Sequence, residues 1–177
     1  MPQNRLAPQA TAAFNARLGE ILCAVDKDVL HIRKEFNVRG LLYSSETVQA
    51  IYRRLDEAIA EIGKAASESV KLAYDTGHHN FSESLEGELL DAFESNFSSG
   101  FQRVCDARIG ATQAIRDGLL NKRILENDEH FQMARRMQIQ GQLELRKFVQ
   151  TINKARTRWY EYIPSIIKFV SSFFKSH

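Results

Sequence analysis

The sequence predicts an all-α protein: an elongated up-down four-helix bundle with a short amphipathic helix at its C-terminus. Three observations lead there. Pro2, Pro8 and Pro164 are the only prolines, so from Gln9 to Ile163 every residue keeps the backbone N–H that a helix uses. Apolar residues recur at steps of three and four over four long stretches, which keeps one face of a helix apolar. β-branched residues neither cluster nor alternate in that range, so no segment shows the period of two expected of a strand. The expected helices span 9–37, 45–76, 84–120 and 128–162, after a frayed N-terminus (1–8) and before a C-terminal amphipathic helix (163–177). No low-complexity linker or internal repeat divides the 177 residues, so one domain is expected.

The second helix carries the sharpest marks. Ser44 and Ser45 offer a hydroxyl to the unpaired N–H groups of a first turn, and Glu46 places a negative charge at the positive end of the helix dipole. Val48, Ile51, Leu55, Ile59, Ile62, Ala66, Val70 and Ala73 then form one stripe. Arg53/Glu57, Lys64/Glu68 and Lys71/Asp75 place opposite charges four apart on the other side. Gly77 tolerates the left-handed conformation common just past a helix end. Such a rod is roughly 45 Å long, and its apolar stripe requires cover from other helices or another chain.

The remaining helices follow the same logic. The first carries Phe14, Leu18, Ile21, Leu22, Val25, Val29, Ile32 and Phe36, and Gly40 marks the turn after it. Ser82 or Ser84 caps the third, whose stripe is Leu85, Leu89, Phe93, Phe97, Phe101, Val104 and Ile115. Ser98-Ser99-Gly100 suggests a break there, since glycine costs about 1 kcal/mol in a helix interior. Ala107, Gly110, Ala111, Ala114 and Gly118 suggest close approach of another backbone. The fourth carries Phe131, Ala134, Met137, Gly141, Leu145, Phe148, Ile152, Ala155 and Trp159, and should stop near Tyr162 because Pro164 disfavours helix at the preceding residue.

Composition narrows the function classes. With 44% hydrophobic and 26% charged residues the chain resembles an ordinary globular protein, and its net charge of +2 does not call for a strongly electrostatic partner of the whole molecule. The charge is unevenly placed, however. Residues 73–102 carry only acidic charge. From His130 onward Arg135, Arg136, Arg146, Lys147, Lys154, Arg156 and Arg158 make a broad basic face, the candidate contact for an anionic partner. Adjacent pairs such as Arg135-Arg136 spread that face too widely for a narrow nucleic-acid contact line, and no nucleic-acid-binding motif accompanies it. Cys23 and Cys105 lack C-x-x-C spacing and are expected as buried free thiols of a reducing compartment. His78 and His79 lie in a turn and His31 and His130 elsewhere, without the converging ligand set of a metal site. No nucleophile motif, phosphate loop or cofactor motif is present, so no cofactor, metal or catalytic residue is assigned.

The tail is the least ordinary stretch. After Trp159 and Tyr160, a helix through Ile163, Ile166, Ile167, Val170, Phe173 and Phe174 is amphipathic and free of acidic residues, a candidate contact for a membrane or a partner. No run approaches the ~18 apolar residues of a membrane span, and no leader pattern opens the chain, so a cytoplasmic protein, able to associate with membranes, is expected. Three functional readings follow, in order: a non-enzymatic helical interaction or scaffold module that self-associates or takes a partner helix; a peripheral protein that binds an anionic membrane through the C-terminal amphipathic helix; an enzyme or metal protein with a site inside the bundle.

Overall fold

A computed structural model describes residues 6–77, 84–117 and 129–175, apart from the side chains of 108, 109, 114, 116, 117, 129–131, 156 and 158–175. Four helices pack together, and the described residues contain no strand. They are α1 (Leu6–Val38), α2 (Ser45–Thr76), α3 (Leu85–Asp117) and α4 (Glu129–Lys175). The all-α bundle expected from the spacing is therefore present.

α2 stands between the others and packs on all three. Its predicted stripe, Val48 to Ala73, is buried throughout. The buried arc is wider than that stripe, because Tyr52, Ala58, Gly63, Ala65, Ser67 and Ser69 are buried as well. Ser44 caps its N-terminus, accepting a hydrogen bond from the Thr47 N–H at 3.2 Å. At the other end Gly77 is right-handed (φ −79°), not left-handed, and donates its N–H to the Ala73 carbonyl. The left-handed residue is Gly40 instead (φ 71°), in the turn between α1 and α2.

Cross-helix contacts fix the directions. Arg54 of α2 reaches Asp28 of α1, while Ile62 and Phe14 both lie against Gly100 of α3. α1 and α2 are thus antiparallel. Thr11 donates to Asn96 at 3.0 Å, so α1 and α3 run parallel. Glu86–Arg146 and Glu94–Gln142 make α3 and α4 antiparallel. Met137 beside Gly63 and Phe148 edge-on to Tyr74 make α2 and α4 parallel. α1 and α4 occupy opposite sides of the α2–α3 pair, so the cross-section is a rhombus rather than a square.

Three boundaries differ from the sequence expectation. α1 begins at Leu6, which is buried together with Ala10, so residues 6–8 are not frayed. Pro8 sits in the first turn, where an N–H would have no helical partner anyway. Met1 to Arg5 lie outside the described residues. α3 passes through Ser98-Ser99-Gly100 unbroken, because Gly100 is where α1 and α2 press closest: a Cβ there would meet Ile62 at 2.7 Å and Phe14 at 2.9 Å. α4 does not stop near Tyr162, and there is no separate short C-terminal helix; one helix of 47 residues runs to Lys175. Pro164 removes one N–H, the bond to the Tyr160 carbonyl, but the helical spacing of apolar residues continues on both sides of it. Residues 118–128, where the third expected helix ends and the fourth begins, lie outside the described residues.

Of the two glycines expected at a close backbone approach, Gly118 lies outside the described residues, and Gly110 is not at one. Gly110 is exposed, with nothing near its Cβ position. Gly141 instead lies under the ring of Phe93, the fully buried residue of a stacked Phe93–Phe97–Phe101 series. Cys23 is exposed rather than buried, since Ile21, Leu22 and Val25 take the inward positions; Cys105 is half-buried. Ala155, placed on the α4 stripe, is exposed because α2 and α3 have ended at its level.

These two glycines separate packing from propensity. Gly110→Ala should stabilise by up to about 1 kcal/mol, since nothing opposes the helix-propensity gain. Gly141→Ala should destabilise by about 1–3 kcal/mol, since Phe93 must leave its rotamer. Urea unfolding followed by circular dichroism reads both; equal shifts of one sign would contradict the packing described.

Candidate interaction surface

α4 holds nearly all the residues singled out for binding. Arg135, Arg136, Arg146, Lys147 and Lys154 are all exposed on it. At 100° per residue they fall with Gln132, Ile139, Leu143, Gln150 and Thr157 inside an arc of about 120°. That arc faces away from the buried positions Ala134, Gly141, Leu145 and Val149. Only Arg146 has a carboxylate, Glu86 at 3.6 Å; Arg135, Arg136, Lys147 and Lys154 have none among the described residues. Arg156, Arg158, Trp159, Tyr160, Ile163, Ile166, Ile167, Val170, Phe173 and Phe174 belong to the same helix, and their side chains lie outside the described residues.

The sequence reading missed Ile139 and Leu143. Both are large, apolar and about half exposed (48% and 50%), and they sit on the basic arc between the two cation pairs. Their signal is an apolar pair four apart that falls out of phase with the core stripe.

The other face of α4 is neutralised. A shallow groove of about 400 Å³ between α2 and α4 is lined by Gly63, Lys64, Glu68, Lys71, Met137, Gly141 and Glu144. Its charges pair internally, Lys71 with Glu144 at 3.4 Å and Lys64 with Glu68 at 3.8 Å. Lys71 thus bonds across to α4 rather than to Asp75, and Ser67 also donates to Glu144. No cation is left there to hold an anion. On the α1 side, Arg54 donates to Asp28 at 2.7 Å and to Glu61 at 3.1 Å. Burial works against its charge, but that hydrogen bond and the carboxylates of Glu61, Asp28 and Glu57 together hold the guanidinium more firmly protonated than usual. It is a strut between helices, not a free binding group.

Nothing in these grooves assembles a nucleophile with a base, and among the described residues no three histidine, cysteine or acidic side chains converge as metal ligands. His31 is exposed on α1; His78 and His79 lie outside the described residues, as does the His130 side chain. No described helix is long and apolar enough to cross a membrane.

The end of the bundle is marked by Tyr74 against Phe148, ring centroids 5.6 Å apart and edge-on. From that level α4 continues for some 25 residues, roughly 37 Å, past the end of α2 and the start of α3. No helix of this chain accompanies it among the described residues. No protein-family model matches the chain, and no curated protein or solved structure is significantly similar to it.

Burial, and secondarily the Asp75 carboxylate, push the Tyr74 phenol above its ordinary range. The folded protein then holds this proton more tightly than the unfolded chain does. Its contribution to stability is complete below the ordinary tyrosine range and is lost as pH rises through the raised value. Alkaline difference absorbance of the wild type against Tyr74→Phe should show Tyr74 ionising after free tyrosine; ionisation at or before it would contradict this packing.

Proposed function

We propose that this protein is a non-enzymatic interaction module that self-associates through the extension of α4. The supporting observation is one of register. Leu145 and Val149 are buried in the bundle, four residues apart. The same alternation of four and three continues at Ile152, Arg156, Trp159, Ile163, Ile166, Val170 and Phe173. Arg156 is the one polar member of that series.

An apolar 4–3 alternation sustained over four heptads is the seam of a helix that packs on another helix. Inside the bundle α2 and α3 cover it. Beyond Tyr74 and Phe148 they have ended, and a second copy of α4 has the matching seam. A pair of such extensions would pack the two apolar seams against each other, at about 25 cal/mol per Å² of apolar surface removed from water. Arg156 at a seam position favours a defined register over a sliding one.

Sedimentation equilibrium of the full chain tests this. A dimer or larger assembly is expected, and Ile166→Asp with Val170→Asp should give a monomer whose bundle melts unchanged. A full chain that sediments as a monomer at micromolar concentration would refute the reading.

A further inference from the structure

We propose that the outer face of α4 docks the bundle on an anionic lipid bilayer. This concerns the described stretch from Gln132 to Thr157, and it does not rest on the self-association of the extension.

Position comes first. α4 lies at one tip of the rhombus, with α1 at the far side, so its outer arc is a free edge of the molecule. A rigid helix there presents roughly 37 Å of surface between Gln132 and Thr157 to a flat plane.

Charge comes second. Exposed residues of α1 mix signs, with Arg17, Glu20, Lys27 and Asp28 side by side. Those of α2 do too, with Arg53, Glu57, Lys64 and Glu68. The outer arc of α4 carries no acidic residue from Gln132 to Thr157; Glu144 lies off it, turned to Lys71 of α2. Arg135, Arg136, Lys147 and Lys154 therefore keep their charge for an external anion.

The apolar pair decides the class of partner. Ile139 and Leu143 lie 40° apart on the helix, flanked by Arg135-Arg136 on one side and Arg146-Lys147 on the other. At a membrane surface such a pair enters the boundary between headgroups and acyl chains. The flanking cations reach phosphate and carboxylate groups along their own aliphatic stems. A nucleic acid uses the cations alone and leaves both apolar side chains in water. No exposed aromatic is described on this arc to stack a base.

Flotation of the full chain with vesicles of phosphatidylcholine, alone and mixed with phosphatidylserine, tests the proposal. Binding should require phosphatidylserine and weaken with salt. Each cation removed near an anionic surface should weaken it by roughly fivefold. Lys147→Gln with Lys154→Gln should therefore lose binding by well over tenfold, and Ile139→Ser with Leu143→Ser should also reduce it. Lys27→Gln with Lys34→Gln, on α1, should leave it unchanged, and so should Ile167→Ser with Phe174→Ser, extension positions outside the seam. All these α1 and α4 face positions are exposed, so the variants should fold, and circular dichroism confirms each. Binding unaffected by the α4 face variants, or abolished by the extension variant alone, overturns the proposal. So does the absence of phosphatidylserine-dependent binding, including the case where the chain instead binds duplex DNA.

Discussion

The structure depends on the burial of α2 on nearly every side. Between Thr47 and Ala73 fifteen of its residues are buried, and only a narrow, mainly polar ridge faces water. A helix with so wide an apolar arc cannot be stable on one neighbour. It needs α1 on one flank, α4 on another and α3 behind. That demand sets the rhombus, with α2 and α3 as its short diagonal. The small residues of α2 make the arrangement close: a Cβ at Gly63 would meet the Met137 side chain at 3.2 Å, and Ser67 reaches across to Glu144. Larger side chains at those two places would hold α4 away.

Much of this was legible in the sequence because periodicity reports burial directly. All eight residues of the α2 stripe are buried, and Ser44 caps where a serine before Glu46 should. What stayed illegible was of two kinds. Small polar residues such as Ser67 and Ser69 are silent in an apolar count, although Ser69 satisfies itself by donating to the Ala65 carbonyl at 2.7 Å. Glycine and proline were weighed by their intrinsic cost, and neither ended a helix. At Gly100 tertiary packing outweighs that cost, because two helices converge there on α3; Pro164 sits inside α4, where helical apolar spacing continues on both sides. Propensity is a local quantity of about 1 kcal/mol for glycine and 3 for proline, small beside the burial of a helix face.

The candidate surface was legible in its cations and not in its apolar pair. Arginines and lysines announce themselves by charge. Ile139 and Leu143 look like core until the phase of the core stripe is known from Gly141 and Leu145. The same phase separates two uses of α4. Its inward seam is filled by α2 and α3 and then continues without them; its outward arc is basic along the length of the bundle. The seam proposed for a second helix and the arc proposed for an anionic surface thus draw on different residues of α4.

Amide hydrogen exchange resolved by helix is the most direct test of α2 as the central strut. An element packed between three neighbours opens only when the whole fold opens. The α2 amides from Leu55 to Val70 should exchange slowest, with one common opening free energy equal to that of global unfolding. α2 amides exchanging as fast as those of α1 or α4, while the bundle stays folded, would contradict it.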